Sequence, residues 1–179
     1  MSNFEGFVVR GLLSVVLSRG PETLCEEINL DFPDTMQISD HGWAVAWFSN
    51  VPWLIEKSEG ILKRGKKLVL TGHSFGGTAI IMVAQALAQK KLPVHLLCPI
   101  DPAYQYTTVI PPSVQRVVGF YQRTTGQLGQ GIDAEGKGWD PAKWKQQIDY
   151  RRYETHLEII NDPFVHTKVR NAIKQLEGA

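Results

Sequence analysis

The sequence predicts an α/β domain, a mostly parallel sheet with helices on both faces, in a single unit spanning residues 1–179. Three observations carry that expectation. Apolar runs suited to strands alternate along the chain with segments of helical apolar spacing. The strand-like runs at 67–71 and 94–100 are mostly apolar, as strands covered on two sides must be. A glycine-rich bend, residues 72–77, joins one such run directly to a long Ala/Ile-rich helical segment.

The elements follow in order. Residues 4–10 read as a buried strand ending at Gly11. The next segment, Gly11 to Leu17, is apolar but short; Glu5 precedes it, Arg19 follows it and no small-residue cleavage site is present, so it reads as structure and not as a targeting signal. Residues 21–28 read as a helix with Gly20 as a cap and acids in its early turns. A short strand at 35–39 closes on Asp40-His41-Gly42. Residues 43–64 carry apolar side chains at helical spacing, interrupted near Pro52 and ended by Gly65. Residues 67–71 form the next strand and 75–90 the cleanest helix. Strands are then expected at 94–100 and 114–121. Residues 124–145 hold five glycines and few aliphatics, which reads as a long surface excursion. A strand-like segment at 152–160 passes through His156. Asp162-Pro163 opens a last helix with Val165, Val169, Ile173 and Leu176 on one side.

Composition narrows the function. The chain is 43% hydrophobic and 21% charged, an ordinary globular balance. A formal net charge of +1 gives no electrostatic case for a nucleic-acid partner or an acidic membrane. The two cysteines, Cys25 and Cys98, read as buried thiols without metal-ligand spacing, which fits a reducing, cytoplasmic setting. No cofactor or metal is expected. No apolar run approaches the ~20 residues of a spanning helix.

The chemistry concentrates at Gly72-His73-Ser74-Phe75-Gly76-Gly77. This is Gly-x-Ser-x-Gly between a strand and a helix, where a serine on a sharp turn stands clear of the backbone at a helix N-terminus. The plainer reading, a serine capping a helix, explains Ser74 but not the partners downstream. A serine hydroxyl needs a base and a group that orients the base. Of His41, His73, His95, His156 and His166, the order serine, acid, base favours His156, with His166 as its rival. His73 adjoins the serine and reads as packing, His95 as structural, His41 as a pocket residue. Asp101, directly after a strand and before Pro102, is the preferred acid; Asp133, Asp140 and Asp149 are its rivals. Two N–H groups, of Phe75 and of Leu12 after the first strand, are the expected oxyanion donors.

Taken together, Gly72-His73-Ser74-Phe75-Gly76-Gly77, Ile100-Asp101-Pro102 and His156 ahead of Asp162-Pro163 resemble the α/β-hydrolase superfamily. The resemblance runs from Phe4 to Leu176 and is nearest to small lipase- and thioesterase-like serine hydrolases. It implies a compact α/β-hydrolase core without a full cap domain. It also implies a catalytic set Ser74, Asp101 and His156 that hydrolyses a small-molecule or lipid-like ester or thioester through an acyl-enzyme. Acyl transfer and a non-catalytic binding scaffold are the alternatives. Two departures stand out: Arg10-Gly11 where many relatives carry His-Gly, and an acid that follows the strand immediately after the nucleophile helix, earlier than in most of the superfamily. Residues 124–150 are expected to border the acyl pocket as a partial lid, with Trp139 and Trp144 either supplying apolar contact there or simply packing under the loop. Trp43, Trp47 and Trp53 are expected to pack in the core, with a partner surface as the lesser reading.

Overall fold

The computed structural model describes residues 2–11, 18–39, 50–103, 109–122, 148–152 and 155–178, with the main chain alone for residues 122 and 148–152. The strands are β1 (Phe4–Val9), β2 (Met36–Ser39), β3 (Lys67–His73), β4 (Leu96–Ile100), β5 (Val118–Gln122) and β6 (Ile148–Arg152). The helices are α1 (Gly20–Asp31), α2 (Asn50–Lys63), α3 (Phe75–Gln89) and α4 (Pro163–Glu177), with a 3-10 turn at Ile159–Asn161. The strands form one sheet in the order β2-β1-β3-β4-β5-β6. Every described pairing is parallel.

Alternation along the strands divides the core in two. Phe7, Val9, Leu68, Leu70 and Leu97 face one side, where Val51, Leu54 and Ile61 of α2 and Ile80, Ile81 and Leu87 of α3 cover them. Phe4, Val8, Val69, Leu96 and Phe120 face the other, under Leu24 and Ile28 of α1 and Val165, Val169 and Ile173 of α4. Helices therefore lie on both faces, and the central strands must be apolar on both alternations. Cys25 and Cys98 are buried free thiols. Burial pushes Cys25 up to about 11 and Cys98 up to about 12.

Three local readings change. Of the segment 152–160 expected as a strand, Arg152 ends β6, and the described residues 155–160 are turn and 3-10 helix rather than strand. The sixth strand is Ile148–Arg152, at the sheet edge, and its first residues lie in the segment read as a lid. Ile159 and Ile160 are buried in the 3-10 turn against the α1 and α4 face instead. The described part of helix α2 runs unbroken from Asn50 to Lys63 with Pro52 in its first described turn, where the ring is tolerated, rather than interrupting it. Trp53 is 38% exposed, with its ring edge-on to Phe7, and is not a core residue. Trp43, Trp47, Trp139, Trp144 and the centre of the expected lid lie outside the described residues.

Pro99 sits inside β4, between two partners. On the β5 side the main-chain donors alternate: Leu97 N–H donates to Arg116 O and Asp101 N–H to Phe120 O. Pro99 falls at the intervening position and supplies no donor. The ladder is accordingly short there, a single Ile100↔Phe120 pair beside an isolated Leu97↔Val117 bridge. The tip of β4 is still held in register, and it carries Asp101.

Candidate active site

Ser74 lies between the end of β3 and the start of α3, with φ 57° and ψ −124°. That is the positive-φ region, which a residue with a Cβ occupies at a cost of roughly 1–3 kcal/mol. Packing around the bend enforces it. A Cβ on Gly72 would fall 2.5 Å from Gly76 O, and one on Gly76 would fall 2.2 Å from Val9 O. Strand, helix and the tip of β1 close together only because both positions are glycine. The Ser74 N–H donates to Ile100 O (3.0 Å), and its carbonyl accepts from Thr78 N–H and Ala103 N–H (both 3.1 Å).

Asp101 is the next residue on the neighbouring strand, since His73 pairs with Ile100 in register. It too has positive φ, 43°, and its side chain is fully buried. The segment after it is tied to α3: Thr78 Oγ1 donates to Ala103 O at 2.7 Å. His156 enters from the turn that follows β6. Its Nδ1 lies 2.6 Å from Asp101 Oδ2 and its Nε2 lies 2.8 Å from Ser74 Oγ. A proton on Nδ1 donates to the carboxylate, which leaves Nε2 to accept from the serine hydroxyl. Three side chains from positions 74, 101 and 156 thus form one hydrogen-bonded chain at the carboxyl ends of the strands, where ligands gather in open α/β sheets.

No protein-family model matches the chain, and no curated protein matches it in sequence. Solved structures do match over nearly its full length. A Xanthomonas campestris pv. campestris protein assigned to the α/β superfamily of hydrolases has a TM-score of 0.61 at 14% identity, covering 97% of each chain. A cutinase-like protein from Cryptococcus sp. has 0.55 at 16% identity, covering 98% of this chain and 95% of its own. The NocB thioesterase domain, in covalent complex with a fluorophosphonate nocardicin G analogue, has 0.55 at 15% identity, covering 96% of this chain and 93% of its own. The chain has the α/β-hydrolase fold.

Within that α/β-hydrolase fold the remaining candidates separate. His166 is buried in α4; its Nε2 donates to Ile160 O at 2.7 Å and its Nδ1 lies 3.2 Å from Glu27. His95, just before β4, accepts from Leu68 N–H of β3 through Nδ1 at 3.0 Å, a structural contact. His41, Asp133 and Asp140 lie outside the described residues. Asp149 is in β6, opposite Gly119. Of the expected oxyanion donors, Phe75 opens α3 beside Ser74, whereas Leu12 lies outside the described residues. Its neighbour Gly11 packs against the bend, and a Cβ there would sit 2.7 Å from Ser74 Cβ.

Two features escaped the sequence reading. Arg10 pairs with Glu22 in the first turn of α1 at 2.6 Å, tying the tip of β1 to that helix. His73 is buried, and burial together with the neighbouring His156 pushes its imidazole down to about 3. Its Nε2 lies 2.7 Å from the main-chain oxygen of His156. Neither partner is near in sequence, so no local pattern marks the contact. Among the described residues no group of three or more His, Cys, Asp or Glu side chains could hold a metal ion, and no helix is long and apolar enough to cross a membrane.

Proposed function

We propose that this protein is a serine hydrolase that cleaves an ester or thioester through an acyl-enzyme at Ser74. The observation that carries the reading is the His156 ring, hydrogen-bonded at 2.8 Å to a serine hydroxyl and at 2.6 Å to a buried carboxylate. Ser74 Oγ attacks the acyl carbon as His156 Nε2 takes its proton. The carbonyl oxygen gains the electron pair and is held by the N–H groups of Phe75 and Leu12. Asp101 keeps the ring in the tautomer whose Nε2 can accept, and stabilises the imidazolium that forms. The tetrahedral adduct collapses, and the alcohol or thiol leaves with the proton from His156. Water, deprotonated by His156, then attacks the acyl-enzyme and releases the acid.

The substrate is a small or lipid-like acyl compound. A thioesterase domain and a cutinase-like protein share the fold, which supports an acyl substrate. Hydrolysis of p-nitrophenyl esters and acyl thioesters, compared between the protein and Ser74→Ala, tests the proposal. Hydrolysis is expected from the parent and background from the variant. Equal rates in both would refute it, and a parent that acylates but does not turn over in water would point to acyl transfer.

A further inference from the structure

We propose that His73 is a positioning residue for this site: its neutral imidazole donates Nε2–H to the main-chain carbonyl of His156 and so fixes where the His156 ring stands relative to Ser74. The inference rests on the hydrolase reading only for its kinetic consequence; the contact itself does not.

A carbonyl oxygen only accepts, so the 2.7 Å approach of His73 Nε2 to His156 O places the proton on Nε2. Nδ1 is then bare. It is buried and has no hydrogen-bond partner among the described residues. A second proton there would be a buried donor facing nothing, beside another imidazole whose ring centroid is 4.7 Å away at 33°. The surroundings therefore admit one protonation state and one tautomer. Burial pushes the group down to about 3, in keeping with that state.

His73 cannot act on substrate, because it is 2% exposed. It acts through His156. The turn bearing His156 is braced by local bonds: Thr155 N–H donates to Glu158 Oε2 and Asn161 Nδ2 donates to Leu157 O, both at 2.9 Å. Those bonds shape the turn but do not place it against the sheet. His73, the last residue of β3 and the neighbour of Ser74, supplies a bond from the strand that carries the hydroxyl to the turn that carries the base. A change in that distance is transmitted directly to the 2.8 Å contact between His156 Nε2 and Ser74 Oγ.

Two variants separate positioning from packing. His73→Gln keeps an N–H donor near the position of Nε2, whereas His73→Phe keeps the ring and loses the donor. His73→Phe is expected to lower kcat by about tenfold with KM little changed, the rate equivalent of losing one such hydrogen bond, and His73→Gln to restore most of it. Proton NMR of the His156 Nδ1–H, recorded also in a Ser74→Ala background, should show a sharp resonance in the parent and His73→Gln and a broadened or shifted one in His73→Phe. Nitrogen NMR of the parent should show His73 neutral with the proton on Nε2. Equal behaviour of the Gln and Phe variants, or a His73 that is protonated or carries its proton on Nδ1 near pH 7, would overturn the proposal. The resonances read out without catalysis, so a parent that hydrolyses nothing would sink the hydrolase reading and leave this one to stand or fall by the spectra.

Discussion

Replacing Asp101 by asparagine removes a charge and almost no volume. The carboxylate is fully buried, and its Oδ2 is 2.6 Å from His156 Nδ1. The charge matters most when His156 has taken the serine proton and become an imidazolium. With the two charge centres about 4 Å apart and an effective dielectric constant of about 20, their attraction is roughly 4 kcal/mol. At about 1.4 kcal/mol per factor of ten, losing it slows acylation by about a thousandfold. The asparagine amide adds to the loss, because an N–H turned toward the ring favours the tautomer with its proton on Nε2, which cannot accept from Ser74. Substrate binding does not use this carboxylate, so KM should hold. The assay is steady-state ester hydrolysis together with the rate of fluorophosphonate labelling, with folding checked by urea titration. A fall of less than about tenfold in both rates would refute the reasoning and turn attention to Asp133, Asp140 and Asp149.

Thr78→Val should destabilise the protein by about 1–3 kcal/mol in urea unfolding, because it leaves the buried Ala103 carbonyl without the hydroxyl that donates to it at 2.7 Å; Thr78→Ser should lose much less. The same valine should slow labelling of Ser74, since Ala103 lies two residues from Asp101. His73 sets a pH dependence. Its folded-state value is depressed to about 3 from an unfolded value near 6.5, so the unfolded chain binds the extra proton between those limits. Its contribution to stability is complete above about pH 6.5 and declines by up to about 1.4 kcal/mol per unit as pH falls toward 3. Urea unfolding across that range should therefore show a shallower acid slope in His73→Gln than in the parent, and identical slopes would contradict the burial of a neutral ring.

The elements in the middle of the sheet are the ones their residues announce. β3 and β4 are buried on both faces and are accordingly mostly apolar, and the glycines around Ser74 are dictated by contacts of 2.2–2.5 Å that no Cβ survives. The C-terminal part reads less well. Among the described strands β6, Ile-Asp-Tyr-Arg-Arg, lies at the edge with only β5 beside it, so it need not carry the apolar run of a central strand. Ile159-Ile160 looks like strand sequence but is buried by one helical turn against α1 and α4, where tertiary packing overrides propensity. Within the site, Ser74 is legible from its motif. His156 and Asp101 are legible only through chain order and strand ends, and the structure brings both within hydrogen-bond distance of their neighbours. The bond from His73 was not legible, because it spans 83 residues to a backbone atom.

Fluorophosphonate treatment followed by peptide mass mapping is the most direct measurement. A stoichiometric adduct on Ser74, abolished in Ser74→Ala and strongly slowed in His156→Ala, is the expected result. A folded parent protein that takes up no label, or an adduct on some other residue that persists when Ser74 is removed, would contradict it.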